Sequence, residues 1–471
     1  VVLWTRLCGD SVERSLGQTQ DVLWQVSRDP MFEHLENQGR VAARAELAYC
    51  VHVFLDGLLP DTEYFYRFKF QGEVSSAGRT RTLPSPGSRS DGLRMALTSC
   101  QEYSVGYFNA YVDLVAQKPD LVFQTGDYIY ETAPGAVRPS PFPWDEAFTL
   151  DQYRALYALY RSDQALQQAH AVAPWVIIWD DHEVVNDWGA AHYLPSPYNT
   201  GPPEHGHLSR VEVGRRAYLE HMPLRASAAL YDGRERPLYD QVVIGDLLEL
   251  NLLDVRSYRD LPVCNGDGSL SFTPCEGIDD PRRSLLGGEQ EAWFFEHFGT
   301  HGCVWSAIGQ TTVFAPFNRG TQDQADFETD SWDNYPANRQ RILKHISNRK
   351  IPNVISLAGN IHAYYLGTMG ATDPLQGESV LISEIVTTSI SAGGGGEERY
   401  RTAQDNRALN PDMKFFDNRY RGYTLVDVGR ERIDVDLRVV DDVTAKRTAC
   451  NSLASFSIAA DDGEILKADK A

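Results

Sequence analysis

The sequence predicts an α/β protein in two parts, a small β-sandwich at the front and a large domain of alternating strands and helices behind it. Three observations carry that expectation. Residues 1 to about 88 alternate apolar and polar positions in short runs, VVLWTRL, DVLWQVS, YCVHVFL and YFYRFKF, with turn-rich breaks and no convincing helix between them. From residue 93 onward, strand-like apolar runs are separated by stretches of helical spacing, the pattern of βαβ units around a buried sheet. A chain of 471 residues is also too long for one hydrophobic core.

Along the chain, LLPDTEYFYRFKFQG resembles the strand and corner of fibronectin-like domains, in which a tyrosine closes the corner. A linker rich in Pro, Ser and Gly follows, LPSPGSRSDG, which puts the boundary near residue 90 and the domains at 1–88 and 89–471. Strands are expected at 93–99, 121–126, 175–180, 241–253 (two strands), 303–308, 353–359, 379–386, 421–428 and 432–440. Helices are expected at 105–117, 151–170, 208–221, 288–298 and 335–348, and the Gly run at 393–396 reads as a mobile loop.

The hydrophobic share of 42% and the charged share of 23% are those of an ordinary globular protein. A formal charge of −21 argues against a chain that grips nucleic acid or an anionic membrane, because both need a basic face. The surplus acid reads as a solvated surface, with some of it available to divalent cations. No run of about 18 apolar residues occurs, so no transmembrane helix is expected. The chain starts inside a strand-like run, VVLWTRL, so a preceding stretch with a secretion signal is expected to lie outside it. Among seven cysteines, Cys264 and Cys275 flank the loop NGDGSLSFTP. They read as a local disulfide of roughly 2–4 kcal/mol, with two free thiols as the alternative. The odd total leaves a sulfur unpaired, and Cys100 is the choice.

Four apolar runs end on side chains that bind metals or move protons. LRMALTSC closes on Cys100, LVFQTGDYIYE carries Asp127 and Tyr130, WVIIWDDHEVVNDW carries Asp181 and His182, and NVISLAGNIHA carries Asn360 and His362. Open α/β sheets build their sites at the carboxyl ends of neighbouring strands, so this placement predicts a hydrolase site. In GDYIYE, Gly126 lets the chain turn off the strand, Asp127 can bridge two cations, and Tyr130 can fold back into the same site. A phenolate ligand prefers a hard trivalent ion, which points to Fe(III) rather than zinc. The competing reading is a turn-capping Asp beside a packing tyrosine. In WDDHEVVNDW, Asp181 suits a metal, while His182 could protonate a leaving oxygen or hold a phosphoryl group. There the competing reading is that Asp180, Asp181 and Glu183 cap a helix. GNIHA offers an imidazole nitrogen from His362 and a carbonyl oxygen from Asn360. Cys100 by itself reads equally well as a small buried hydrophobe.

Taken in order, SCQ at 99–101, GDYIYE at 126–131, WDDHEV at 179–184, LLDVRSYR at 252–259, DNYPANRQRIL at 333–343, GNIHA at 359–363, EIVTTSIS at 384–391 and RGYTLVDV at 421–428 resemble the alkaline phosphatase D family of metallophosphoesterases. The resemblance spans nearly the whole chain, front domain included. It implies a four-layer α/β metallophosphoesterase sandwich holding one Fe(III) and calcium, in a site similar to that of purple acid phosphatases. Carried over by motif, iron would be bound by Cys100, Asp127, Tyr130 and His362. Calcium would share Asp127 and take Asp181 and Asn360. His182 would contact phosphate or act as general acid, and Arg161 in LYRSD would steady the phosphoryl oxygens, with a solvated helix arginine as its alternative. One departure stands out: family members commonly carry GDxH where this chain has GNIH, so a calcium carboxylate becomes the neutral amide of Asn360 and should hold the cation more weakly.

The implied activity is hydrolysis of small phosphomonoesters or phosphodiesters outside the cytoplasm, by in-line attack of hydroxide made available at two adjacent cations. Two other readings remain: a phospholipase D-like diesterase acting on phospholipid, and a non-catalytic, metal-stabilised binding module. Oligomeric state leaves no mark in the sequence.

Overall fold

The computed structural model describes residues 1–9, 17–132, 135–189, 207–264, 271–321, 323–373 and 377–468. The front segment forms two facing sheets. Val2–Arg6 pairs with Cys50–Phe54, and opposite them Leu35–Ala43, Gln20–Ser27, Glu63–Phe70 and Glu73–Val74 lie in that order, with Gly78–Arg81 also on Glu63–Phe70. Alternation along these strands turns Leu3, Val22, Val26, Val51, Val53, Tyr64 and Phe68 inward to one core. The corner tyrosine is Tyr64, whose hydroxyl accepts the Leu59 N–H at 3.0 Å and so pairs a corner amide that the strands leave free.

Behind it stand two seven-stranded mixed sheets. In the first, Trp175–Ile177, Leu121–Gln124 and Gly92–Thr98 are parallel. Arg421–Gly429, Arg432–Val440, Cys450–Ala459 and Ile465–Lys467 continue it antiparallel. In the second, Asp240–Ile244 is an antiparallel edge on the parallel run Leu248–Leu252, Trp305–Gly309, Val354–Ala358 and Gly377–Val386. Tyr364–Asp373 and Met413–Asp417 close it antiparallel.

The sheets pack face to face. Leu97, Phe123 and Val426 of the first share one core with Leu250, Trp305 and Leu357 of the second. Helices Asn109–Gln117, Leu150–Arg161 and Gln164–Val172 cover the outer face of the first sheet through Tyr111, Leu114, Tyr153, Tyr157 and Leu166. Gly287–His297 and Pro336–Arg349 cover the second through Phe294, Ile342 and Ile346. The order helix, sheet, sheet, helix is the four-layer sandwich expected from the motifs.

Some elements differ from the sequence reading, each for a local reason. The helix expected over 151–170 is two, because Asp163 interrupts it and caps the second by accepting the Ala165 and Leu166 N–H groups. The first opens with a capping box between Thr149 and Gln152. The strand Tyr364–Asp373 was not expected, since glycines at 367 and 370 break its apolar pattern; Met413–Asp417 and Cys450–Ala459 were also missed. Within the Gly run read as a loop, Gly396 already begins a helix, Gly396–Asp405. Cys264 and Cys275 form the disulfide.

Candidate metal centre

The site residues sit where the chain leaves the carboxyl ends of four parallel strands. Cys100 follows Gly92–Thr98, Asp127 follows Leu121–Gln124, Asp181 and His182 follow Trp175–Ile177, and Asn360 and His362 follow Val354–Ala358. The last of these belongs to the second sheet, so the centre is assembled across the sandwich. Cys100, Asp127, Asn360 and His362 all have positive φ, at 53°, 55°, 64° and 52°. Non-glycine residues adopt that conformation at a cost, and its concentration here is characteristic of a functional site. Glycine is required where the turns touch: a Cβ at Gly126 would strike Asp180, and one at Gly359 would strike Ser99.

Two donor groups share Asp127. Donor atoms of Cys100, Asp127 and His362 lie within 4.8 Å of one another, and so do those of Asp127, Asp181 and His182. The Tyr130 hydroxyl joins the first group, 3.0 Å from Asp127 Oδ2 and 3.1 Å from His362 Nε2. Asn360 stands beside it, its N–H donating to Ser99 Oγ at 3.3 Å. Asp181 Oδ1 is buried and accepts no hydrogen bond among the described residues.

Electrostatics set this cluster apart from a set of packed polar side chains. Burial and the charge of Asp127 push the Cys100 thiol and the Tyr130 phenol well above their usual ranges. Burial and Asp181 do the same to Asp127. Burial, with Arg421 behind it, pushes His362 down to about 3, so its ring is neutral. Buried thiolate, phenolate and carboxylate cannot all ionise side by side unless a cation neutralises them. Soft sulfur, phenol oxygen, neutral imidazole and carboxylate therefore fit a transition metal, and the second group fits another cation.

His182 is held from two sides. Its Nδ1 lies 2.6 Å from Glu131 Oε2, and its ring stacks on Tyr130 at 4.0 Å. Burial alone would lower its pKa, but Glu131, Asp181 and Asp127 outweigh that and raise it well above the usual imidazole value. Glu183 ties the turns together, accepting the N–H groups of Tyr128 at 2.7 Å, Asp180 at 2.8 Å and Asp127 at 3.3 Å.

Arg161 corrects an expectation. Its guanidinium donates to the His221 carbonyl at 2.6 Å and lies 3.9 Å over the ring of Trp4, at the junction with the front domain. The phosphoryl-steadying role expected for it has no geometric support. Arg256 is the buried arginine at the centre: it binds Asp180 at 2.5 Å and Asp330 at 2.7 Å, and lies 3.4 Å from Asp181. Arg259 also pairs with Asp330 and donates to the Asp187 carbonyl at 2.6 Å. Sequence reasoning assigned no role to Glu131, Arg256, Asp187 or Asp330, and to Glu183 only that of a helix cap. Glu131, Glu183, Asp187 and the two arginines lie within quoted motifs, so a signal was present for them; Asp330 stands just outside one.

Comparison with known proteins identifies the family. The sequence model of the PhoD-like phosphatase family matches residues 95–437, and that of the PhoD-like phosphatase N-terminal domain matches residues 1–84. Alkaline phosphatase D of Bacillus subtilis (strain 168) is 38% identical over 465 residues, covering 97% of this chain and 78% of the relative. A solved structure described as the structure of PhoD superposes with a TM-score of 0.90 at 36% identity, covering 100% of this chain and 90% of that one. The chain therefore belongs to the PhoD-like phosphatase family and is, as such, a phosphoric ester hydrolase.

Proposed function

We propose that the enzyme hydrolyses small phosphomonoesters or phosphodiesters outside the cytoplasm at a centre of Fe(III) and calcium. The observation that carries this is the mixed donor group of Cys100, Asp127, Tyr130 and His362, joined through Asp127 to the harder group at Asp181. In this reading Cys100, Asp127, Tyr130 and His362 hold iron, while Asp127, Asp181 and Asn360 hold calcium. The cations would supply neutralisation of the phosphate oxygens and acidification of a water.

The chain's own residues do the rest. Asp127 serves both groups and sets their spacing. His362 enters neutral, so it offers a lone pair without adding positive charge. His182, with Nδ1 turned to Glu131, has Nε2 left to donate a proton to the departing alkoxide. Location outside the cytoplasm is supported by the Cys264–Cys275 disulfide, which suits an oxidising compartment. No helix of the described residues is long and apolar enough to cross a membrane.

Elemental analysis beside an assay panel of monoester, diester and lecithin tests the proposal. Iron and calcium in the purified protein, and a visible absorption band lost in Tyr130→Phe with the fold intact, are expected. A colourless, fully active zinc protein would overturn the metal assignment. Activity confined to lecithin would make it a phospholipase, and full metal loading without turnover would make it a binding module.

A further inference from the structure

We infer that Glu131 is a positioning residue that fixes which nitrogen of His182 faces the reacting ester. Imidazole has two nitrogens, and a proton donor works only if the correct one points at the leaving oxygen. Glu131 Oε2 takes Nδ1 at 2.6 Å, and the stack on Tyr130 at 4.0 Å stops the ring from turning over. That leaves Nε2 for the group His182 forms with Asp127 and Asp181.

Glu131 is itself locked. It is only 1% exposed, its Oε1 accepts the Asn186 N–H at 3.0 Å, and its carbonyl accepts the Ala147 N–H at 2.8 Å. Among the described residues no arginine or lysine forms an ion pair with it; its one such partner is His182. A buried carboxylate bound to a single imidazole orients that ring, as the acid member of a triad does. The inference rests on His182 being the proton donor proposed above.

The test compares wild type, Glu131→Gln, His182→Ala and the double variant on a nitrophenyl ester and an alkyl ester. Turnover, metal content and melting temperature are read for each. Glutamine can still accept the Asn186 N–H, but it presents an amide N–H to Nδ1 and so opposes the native tautomer. Glu131→Gln is expected to keep its metals and its melting temperature. Its kcat on the alkyl ester should fall about 10–100-fold with KM unchanged, and less on the nitrophenyl ester, whose leaving group needs little protonation. In the His182→Ala background the same change should cost nothing further, because Glu131 then has no ring to orient.

Equal losses on both esters, losses additive with His182→Ala, or emptied metals would overturn the inference and leave Glu131 a structural residue. Failure of the underlying reading looks different: His182→Ala would then retain full alkyl-ester turnover, or would itself lose metal. If the glutamine variant does not fold, Glu131→Asp carries the same comparison, since it keeps the charge but falls short of Nδ1.

Discussion

Two buried acidic clusters lie side by side in this protein and meet at Asp181, and they differ in whether the chain supplies a guanidinium to them. Asp180 and Asp330 are ion-paired by Arg256 and Arg259, although burial still pushes Asp180 up to about 8. Among the described residues Asp127, with Cys100 and Tyr130, meets no guanidinium, and all three are held towards their protonated forms. Asp181 belongs to both: burial works against its charge, but Arg256 and His182 outweigh that and keep its carboxyl well below the usual range. The same residue type is thus paired with a guanidinium at Asp180 and Asp330 and left without one at Asp127. A buried carboxylate without a protein cation is an opening for a metal.

The largest effect expected from breaking the comparison is at Asp127, the proposed shared ligand. Asp127→Asn should empty both cation positions and lower turnover by about 10³-fold or more. Elemental analysis beside kinetics checks this, and retained metal would remove Asp127 from its proposed bridging place. On the other side, Arg256→Met should keep the ligands but strand the buried carboxylate of Asp180 and leave Asp330 with Arg259 alone, costing about 3–5 kcal/mol of stability. Urea unfolding measures that loss. An unchanged midpoint would mean that Asp180 and Asp330 find other partners.

A third expectation concerns sign. In metal-free protein the folded pKa of Asp127 is raised, so its contribution to stability is present at low pH and lost as pH rises through the folded value. Asp127→Asn should therefore stabilise metal-free protein near neutral pH, by about 1–3 kcal/mol, although it destroys activity. Metal binding has the matching dependence: protons must leave Cys100, Tyr130 and Asp127, so affinity should rise with pH. Thermal melts and metal titrations across pH read both, and a metal affinity flat in pH would contradict the electrostatic account.

The smallest effect is expected at Asn360. Asn360→Asp adds a charge beside the proposed calcium, and should lower the calcium needed for half-maximal rate by about tenfold. Calcium-dependence curves of the two proteins decide it. No shift would place Asn360 outside the calcium shell.

Much of the fold was legible because its signals are short-range. Apolar runs ending in Cys100, Asp127, Asp181 and Asn360 mark strands and the turns that leave them, and the tyrosine corner and the Cys264–Cys275 loop each close within a dozen residues. Where a strand lacked that local pattern, as with Tyr364–Asp373, the reading missed it. Pairing with Gly377–Val386 and Met413–Asp417 holds it in the sheet despite its glycines.

By itself the sequence pointed to Cys100, Asp127, Tyr130, Asp181, His182 and His362 as one cluster, because donor type and strand ending are written in consecutive residues. Which charges meet was decided only by the tertiary structure. Arg161, expected to steady the phosphoryl oxygens, lies over Trp4, while Arg256, given no role from the sequence, joins Asp180, 76 residues before it, to Asp330, 74 residues after it. His182 finds Glu131 across 51 residues. Coulomb interactions and desolvation depend on distance and burial in space, and neither quantity exists until the two sheets have packed and brought their strand ends together.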